Sequence, residues 1–412
     1  MKIELIKNLT LTVFLFILFY LLEHNTYFFI VLVIMFYNFE KYQISLIFYL
    51  LPLSIYFLKI LSSFSNNLSI WEKFSIGYDN YFNDLKQPLL QLKCNYLEEI
   101  YKGTIYLNGK SCPIFQGYGN FWNFFKFNYK NLDTTSNIIA LVTFLILIIL
   151  IIFLNKIKSE KEIIFFSVLS PTINLLINQQ NLDLIIFLLV ICVYLFIKNN
   201  KLILFLLFLM TLFKMHPYFS LFGLLVYSIK NKEVLFKLLS SSLFLISTIY
   251  ILLSDSSAVA PTGPHNATGL LSFSQYILIE VFNRNHGYRT VIVIFIFLAI
   301  ISFFLSNKIE FSRITISAPI DYAVFFWTLG VYLYANYDYR NILLILYLIL
   351  FGEYLKTIEK KAMLIYLYLS PFFLIQNLAI FHFLGIIKLL IFIYIFSHLL
   401  FNLKINLFNI KT

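Results

Sequence analysis

Long apolar runs follow one another along almost the whole chain, and they limit the folds open to it. The 412 residues are 60% hydrophobic and only 12% charged, about half the charged share of a soluble domain. Because so few charges cannot cover a water-facing surface, the outer surface must face lipid. Helices satisfy their own backbone hydrogen bonds in lipid. The sequence therefore predicts one all-α domain over residues 1–412, a polytopic bundle of transmembrane helices.

The apolar runs predict about 11 to 14 membrane spans. Three short runs precede a long polar segment, residues 62–134, and the others follow it. The runs lie near residues 9–22, 27–38, 43–61, 138–154, 163–177, 182–197, 201–213, 217–229, 234–253, 290–306, 314–335, 340–352, 363–378 and 381–403. Several are shorter than the roughly 20 residues of a full span, which predicts kinked or re-entrant helices that line a cavity.

The charges sort the connections between these runs into two groups. The basic connections lie at residues 156–161, 198–201, 230–237, 308–313 and 356–361, and such loops mark the cytoplasmic side. The connections between them, which are less basic, lie at residues 178–183, 214–217, 254–289 and 335–341. The net charge of +11 is therefore a topology signal. It predicts cytoplasmic termini, an external 62–134 loop and no nucleic-acid partner.

The long external loop carries an apolar stripe at helical spacing and, just before it, two aspartates. The stripe consists of Leu85, Leu89, Leu92, Tyr96 and Ile100. It predicts an amphipathic helix that lies on the membrane surface or over the bundle. Asp84 fits the N-cap of this helix. Asp79, in the segment SIGYDNYF, has no such structural task and is the candidate catalytic residue; a solvated turn aspartate is the alternative.

The cysteines leave two possibilities for the same loop. Cys94 and Cys112 both lie in it, whereas Cys192 lies in an apolar run. In an oxidising compartment the loop cysteines could pair, and two free thiols are the alternative, since nothing in the sequence fixes their distance.

Two of the predicted external connections carry polar groups that are costly to bury in lipid. The amide tract with Asn178, Gln179 and Asn181 must be solvated or face a cavity; a short hydrophilic turn explains it equally well. In the tract KMHP, Lys214 and His216 stand at a helix boundary, where a cation suits a lipid-linked phosphate. A lysine that reaches to the membrane surface beside a helix-breaking proline is the alternative.

Arginines on the predicted external side are contrary to the positive-inside rule, which suggests that they have a specific role. Arg340 lies in ANYDYRN and Arg289 in NRNHGYR. The bidentate guanidinium suits phosphate or carboxylate, so both arginines are candidate phosphate ligands. A structural pair between Asp338 and Arg340 is the competing explanation.

Other catalytic signatures are absent from the sequence. It contains no Walker loop, HExxH, GxSxG or CxxC pair. The histidines show no metal-ligand spacing, so the sequence predicts no metal site, although it leaves open whether a divalent cation takes part in the reaction.

The segment from Asn178 to Lys232 resembles the polyprenyl-phosphomannose-dependent mannosyltransferases of glycosyltransferase family 87. Those enzymes have a Gly-Gln-x-Asn stretch and, two spans later, Lys-x-x-Pro opening a helix. Here the first element is Asn178-Gln179-Gln180-Asn181, with Asn in place of Gly, and the second is Lys214-Met215-His216-Pro217. An aspartate followed by tyrosine in the first large external loop is also similar to these polytopic glycosyltransferases, and Asp79 is the matching residue. The resemblance covers under half of the chain, and the family reaches its catalytic loop after one span whereas this chain has three runs before it.

The resemblance implies a hexosyltransferase of the bacterial plasma membrane. A mannose-like sugar would pass from a polyprenyl phosphate to a glycan or lipid acceptor at the non-cytoplasmic face, with membrane lipids around the bundle. Asp79 would be the general base, and Lys214, His216 and Arg340 would hold the phosphate.

Two other functions are alternatives to this interpretation. A polysaccharide polymerase or ligase also uses lipid-linked sugars and has a large late loop with arginines, for which residues 254–289 are a candidate. A lipid or solute transporter should place its charges in the middle of spans and show internal repeats. The sequence shows no repeat, and its charges gather at one face.

Overall fold

A computed structural model gives the architecture of the chain. It describes residues 83–101, 106–107, 110–111, 121, 124–168, 170–179, 181–231, 233–253, 267–268, 270–277, 288–333, 336–369 and 378–408. The described residues form an all-α bundle, which confirms the predicted fold class. Asp79, Cys112 and the first three apolar runs lie outside the described residues, so the predictions made for them stay predictions.

The helices of the first half follow the apolar runs closely. They are α1 (Asn83–Tyr101), α2 (Leu132–Ile157), α3 (Lys161–Val168), α4 (Pro171–Gln179), α5 (Leu182–Phe196), α6 (Asn200–Phe213), α7 (Tyr218–Asn231) and α8 (Val234–Leu253). Between α1 and α2, the two-residue strands β1 (Tyr106–Leu107) and β2 (Lys110–Ser111) pair antiparallel. The run predicted at 163–177 is divided into α3 and α4, because Pro171 begins a new helix there.

The second half continues the bundle. It consists of β3 (Ala267–Thr268), α9 (Leu270–Tyr276), α10 (Tyr288–Lys308), α11 (Pro319–Leu333), β4 (Asn336–Tyr337), a 3₁₀ turn (Asp338–Asn341), α12 (Ile342–Phe351), a second 3₁₀ turn (Gly352–Tyr354), α13 (Thr357–Tyr368) and α14 (Leu378–Phe408). Strands β3 and β4 pair antiparallel, with Ala267 opposite Tyr337. This pairing ties the segment before α9 to the turn before α12.

The membrane character of the bundle lies in its long apolar helices. In the described part of the chain, four helices are long and apolar enough to cross a membrane: Leu132–Ile157, Val234–Leu253, Thr290–Lys308 and Phe383–Leu407. Shorter apolar helices lie at Leu182–Phe196, Asn200–Phe213, Pro319–Leu333 and Ile342–Tyr354. Among these, α12 is buried along its whole length, so the shorter helices include the inner layer of the bundle. The total of 11 to 14 spans stays a prediction.

The amphipathic helix predicted in the long loop is present as α1. Leu85 and Leu89 are buried against Tyr129, as the apolar stripe predicted. The helix begins at Asn83, so Asp84 lies in its first turn and not ahead of it. Cys94 is fully buried and is a disulfide cysteine, whose partner lies outside the described residues. Cys192 is a free thiol.

A close contact between α7 and α11 fixes one side of the bundle. A Cβ added to Gly223 of α7 would lie 2.3 Å from the carbonyl oxygen of Tyr322 in α11. A Cβ added to Gly330 of α11 would lie 2.1 Å from the ring of Phe219 in α7. Since both positions are filled by the neighbouring helix, only glycine allows this approach. The contact brings the start of α7 against the second half of α11.

Three of the five connections predicted to be cytoplasmic meet at one end of the bundle. Lys360 Nζ lies 2.9 Å from a carboxylate oxygen of Glu160, and the hydroxyl of Ser159 lies 3.5 Å from Glu353. The carboxylate of Glu359 accepts a hydrogen bond from the backbone N–H of Ser312. Residues 156–161, 308–313 and 356–361 therefore lie together, as their shared charge pattern predicted.

An extended segment enters α11 at the same end. Two asparagines, one turn apart on α14, form hydrogen bonds with the backbone of this segment. Asn402 accepts from the N–H of Ile314 and donates to the carbonyl of Ser312. Asn406 accepts from the N–H of Ile316 and donates to the carbonyl of Ile314. The apolar run predicted at 314–335 is therefore helical only from Pro319, because side-chain amides pair the backbone of its first residues.

Candidate functional site

Asp183 forms the centre of a buried polar cluster at the start of α5. The side-chain oxygen of Asn181 accepts a hydrogen bond from the Asp183 backbone N–H at 2.9 Å and caps the helix. The cap places the Asp183 side chain in the first turn, where it is only 1% exposed. An ionised carboxylate at this depth requires cationic or hydrogen-bonding partners.

The turn between α6 and α7 supplies two of those partners. Lys214 ends α6 as its C-cap, and its Nζ lies 2.8 Å from Asp183 Oδ1 and 2.8 Å from Asn181 Oδ1. His216, two residues later, contacts Asp183 Oδ1 through Nε2. Burial lowers the pKa of His216 to about 4, although the neighbouring Asp183 acts in the opposite direction. His216 is therefore neutral at pH 7.

A third connection brings an arginine to the other carboxylate oxygen. Arg340 lies in the 3₁₀ turn before α12, and its Nε is 3.8 Å from Asp183 Oδ2. At this distance the two side chains form an ion pair, but they are too far apart for a hydrogen bond. Within the described structure, Asp183 Oδ2 has no hydrogen-bond donor, and about a fifth of the Arg340 side chain is exposed. One oxygen of this buried carboxylate is thus incompletely satisfied.

Trp327, on α11, completes what we call the Asp183 cluster: Asn181, Asp183, Lys214, His216, Trp327 and Arg340. Its indole Nε1 donates to His216 Nδ1 at 3.0 Å, and the two ring centroids lie 5.4 Å apart. Trp327 is 1% exposed. The glycine contact between α7 and α11 described above brings these two rings together.

A narrow crevice, lined in part by the cluster itself, lies between α5, α11 and α12. Asp183, His216, Trp327 and Arg340 line its polar side, and Ile186, Phe187, Ile342 and Leu343 line its apolar side. The crevice has no room for a water molecule in this structure. A ligand that reached Asp183 would therefore require the cluster to open.

The structure brings together four of the residues singled out in the sequence, and the side chains of four others lie outside its described part. Asn181, Lys214, His216 and Arg340 meet around Asp183. Asn178 and Gln179 lie in the last turn of α4, and Arg289 is the second residue of α10, but their side chains lie outside the described part of the structure. Asp79 lies outside it altogether. The convergence shows proximity and does not test a catalytic or binding role.

The sequence did not single out Asp183 or Trp327. A signal for Asp183 was present: a carboxylate that opens an apolar helix needs a cation, and Lys214 stands on the same predicted face. Nothing in the sequence distinguished Trp327 from a core aromatic residue. In the described part of the chain, no group of three or more His, Cys, Asp or Glu side chains could hold a metal ion.

Comparisons with known proteins add no constraint on this site. No protein-family model, curated protein or solved structure matches the chain. The resemblance to glycosyltransferase family 87 therefore rests on the quoted sequence elements alone.

Proposed function

We propose that the protein is a membrane glycosyltransferase that moves a mannose-like hexose from a polyprenyl phosphate to a glycan or lipid acceptor. The observation that carries the proposal is the convergence of Lys214 and Arg340, from two different connections, on the buried Asp183. In the predicted topology all three residues belong to the non-cytoplasmic face, where a lipid-linked donor presents its sugar.

The chemistry of the donor matches two converging cations. In the transfer, the bond between the sugar C1 and a phosphate oxygen breaks, and a bond from C1 to the acceptor oxygen forms. The leaving phosphate keeps the electron pair, so negative charge grows on it in the transition state. Lys214 and Arg340 would stabilise that charge, and a fixed cation in a dry site does so more strongly than one in water.

Asp183 would hold the two cations in place before the donor arrives. A buried lysine needs an anionic or polar partner, and the phosphate can replace Asp183 as the partner of Lys214 and Arg340. His216, which the sequence predicted as a phosphate ligand, has both ring nitrogens engaged in this structure. We propose that His216 acts through Asp183 and does not itself contact the phosphate.

Asp79 remains the proposed general base, because the acceptor hydroxyl must lose its proton to a carboxylate or an equivalent group. Asp183 is a poor choice for that role, since Lys214, His216 and Arg340 all stabilise its negative charge. The disulfide at Cys94 supports an oxidising, non-cytoplasmic location for the loop that carries Asp79. The proposed location in a bacterial plasma membrane rests on the resemblance alone. A polysaccharide polymerase or ligase, which also uses lipid-linked sugars, is the alternative enzyme.

A transporter is the second candidate, and one observation favours it. Lys388 lies within the long helix α14, is fully buried, and its Nζ is 5.7 Å from the centroid of the Tyr366 ring. Ionisable groups at such depth often belong to ion or substrate pathways. The Asp183 cluster, in contrast, lies at helix ends: Asp183 opens α5, Lys214 closes α6 and Arg340 precedes α12. That placement supports the enzyme.

The test is a transfer assay on membranes that contain the full chain, with a panel of radiolabelled polyprenyl-phosphate sugars. We expect the wild type to transfer a hexose and Asp79→Asn to lose roughly 100-fold or more of that rate. Asp84→Asn, a change of the same kind in the same loop, should retain it. Full activity in Asp79→Asn would remove Asp79 as the base. No transfer from any donor, together with uptake of a labelled substrate that Lys388→Met abolishes, would support the transporter.

A further inference from the structure

The hydrogen bond between Trp327 and His216 determines where His216 carries its proton. An indole N–H can only donate, so His216 Nδ1, 3.0 Å from Trp327 Nε1, must accept. The other ring nitrogen, Nε2, contacts Asp183 Oδ1. A carboxylate oxygen accepts, so Nε2 carries the hydrogen. The geometry therefore allows one protonation state for His216, the neutral Nε2–H tautomer.

We infer that Trp327 is a positioning residue of the proposed phosphate site, because its indole N–H holds His216 in the Nε2–H tautomer that orients the Asp183 carboxylate. With His216 and Lys214 both on Oδ1, the second oxygen, Oδ2, is turned toward Arg340. The functional meaning of this orientation rests on the proposed glycosyltransferase activity. The assignment of the tautomer does not depend on that activity, because it follows from the hydrogen bonds alone.

The groups around His216 show why Trp327 decides its state. Asp183 on α5 is the one carboxylate of the described structure in contact with His216 and favours its protonation, whereas Lys214 and Arg340 oppose it. While Trp327 occupies Nδ1, a second proton has no place to bind. If the indole N–H were removed, Nδ1 would be free to take a proton, and a cationic His216 would compete with Lys214 and Arg340 for Asp183.

The position of Trp327 depends on the packing of α11. Gly330, one turn further along, admits the ring of Phe219 from α7, and Phe219 follows His216 by three residues. The same contact thus places both partners of the hydrogen bond. No polar side chain other than the indole reaches Nδ1 in the described part of the chain.

The inference can be tested by nitrogen NMR of the full chain in nanodiscs, with ¹⁵N-labelled histidine. The chain has six histidines, and His216→Gln identifies the signal of His216. In the wild type we expect the Nε2–H tautomer, with no protonation between pH 5 and pH 8. In Trp327→Phe, which keeps an aromatic ring without a donor, we expect the titration of His216 to move up by roughly one pH unit or more. Tyr332→Phe, another buried aromatic change on α11, should leave it in place.

A wild-type His216 that carries its hydrogen on Nδ1, or that titrates near pH 6.5, overturns the inference, and this measurement does not depend on whether Trp327→Phe folds. The functional part has its own readout. As the pH is lowered, sugar transfer by Trp327→Phe should begin to decline at a higher pH than transfer by the wild type. Its KM for the lipid-linked donor should also be higher. A lower rate with an unchanged pH profile would show that Trp327 is merely structural. If the tautomer is as expected but the wild type transfers no sugar, the proposed function fails and the role of Trp327 in fixing His216 stands.

Discussion

Two buried carboxylates with histidine partners lie in different parts of the bundle, and they are satisfied in different ways. Glu359, near the start of α13, accepts from the backbone N–H groups of Ser312 and Lys356, each at 2.8 Å, one to each carboxylate oxygen. His398 Nδ1 lies 3.4 Å from the first of these oxygens. In the described structure the Asp183 carboxylate contacts only side chains: Lys214 and His216 at Oδ1, and Arg340, at 3.8 Å, at Oδ2, which has no hydrogen bond.

The difference separates a structural carboxylate from a candidate functional one. Backbone donors cannot move without unfolding a turn, so Glu359 holds the extended segment at Ser312 to the start of α13. The partners of Asp183 are long side chains from separate connections, and they can exchange Asp183 for a ligand. A carboxylate that is buried and incompletely satisfied is costly, and such arrangements are concentrated at functional sites.

The largest effect that the comparison predicts is on sugar transfer when Lys214 is changed. Lys214→Gln should reduce the transfer rate by roughly 100-fold or more, because a cation that stabilises the leaving phosphate is removed. Lys201→Gln makes the same change at the opposite, exposed end of the same helix, α6, and should have no effect. Both rates are measured per folded molecule in membranes with the labelled donor.

A second variant separates chemistry from folding. Lys214→Gln leaves Asp183 without its nearest cation, which destabilises a buried site. The double variant Asp183→Asn with Lys214→Gln removes both charges, so its stability should recover while its transfer rate stays low. Recovery of transfer in the double variant would mean that Lys214 serves only to neutralise Asp183, and the two carboxylates would then be alike.

The next effect is on stability at the other carboxylate. Glu359→Gln should lower the free energy of unfolding by about 1–3 kcal/mol, because the amide can accept from only one of the two backbone N–H groups. Transfer activity per folded molecule should not change. Glu353→Gln, an exposed position on the turn before α13, is the control, and unfolding in a detergent titration is the measurement. A loss of transfer at constant stability would give Glu359 a functional role.

Much of the described bundle could be predicted because lipid leaves the backbone few options. The apolar runs at 182–197, 201–213 and 234–253 became helices with nearly the same bounds. The sequence did not predict the extended entry to α11, because its backbone partners, Asn402 and Asn406, lie about 90 residues away. Pairing over such a distance leaves no periodic pattern in either segment.

The candidate site shows the same division. The sequence singled out Lys214, His216 and Arg340 because polar groups are costly to bury in lipid. The distribution of basic residues among the connections placed all three on one predicted face. The sequence does not distinguish Asp183, because a carboxylate beside an amide tract is ordinary in a loop, and only its burial makes it exceptional. Trp327 was unpredictable, since its role depends on the distance from its indole nitrogen to one atom of His216.

The smallest predicted effect is a difference between the two carboxylate sites in their response to acid. The unfolded chain protonates His216 near pH 6.5, whereas burial lowers the pKa in the folded protein to about 4. The unfolded state therefore binds more protons between these values, and stability falls as the pH decreases from 6.5 to 4. Although burial opposes it, hydrogen bonding by His398 and Ser312 lowers the pKa of Glu359 to about 2. The contribution of the ionised Glu359 to stability is therefore complete above about pH 4.5 and is lost only below that pH.

Unfolding in detergent at pH 7 and at pH 5 therefore isolates His216. The wild type should lose about 1–2 kcal/mol more than His216→Gln between these two values. Glu359→Gln should lose as much as the wild type, because Glu359 stays ionised in both states over this range. Equal losses in the wild type and His216→Gln would show that His216 is not held neutral in the folded protein. The Asp183 cluster would then contain a third cation, and His216 would become available to bind the phosphate directly.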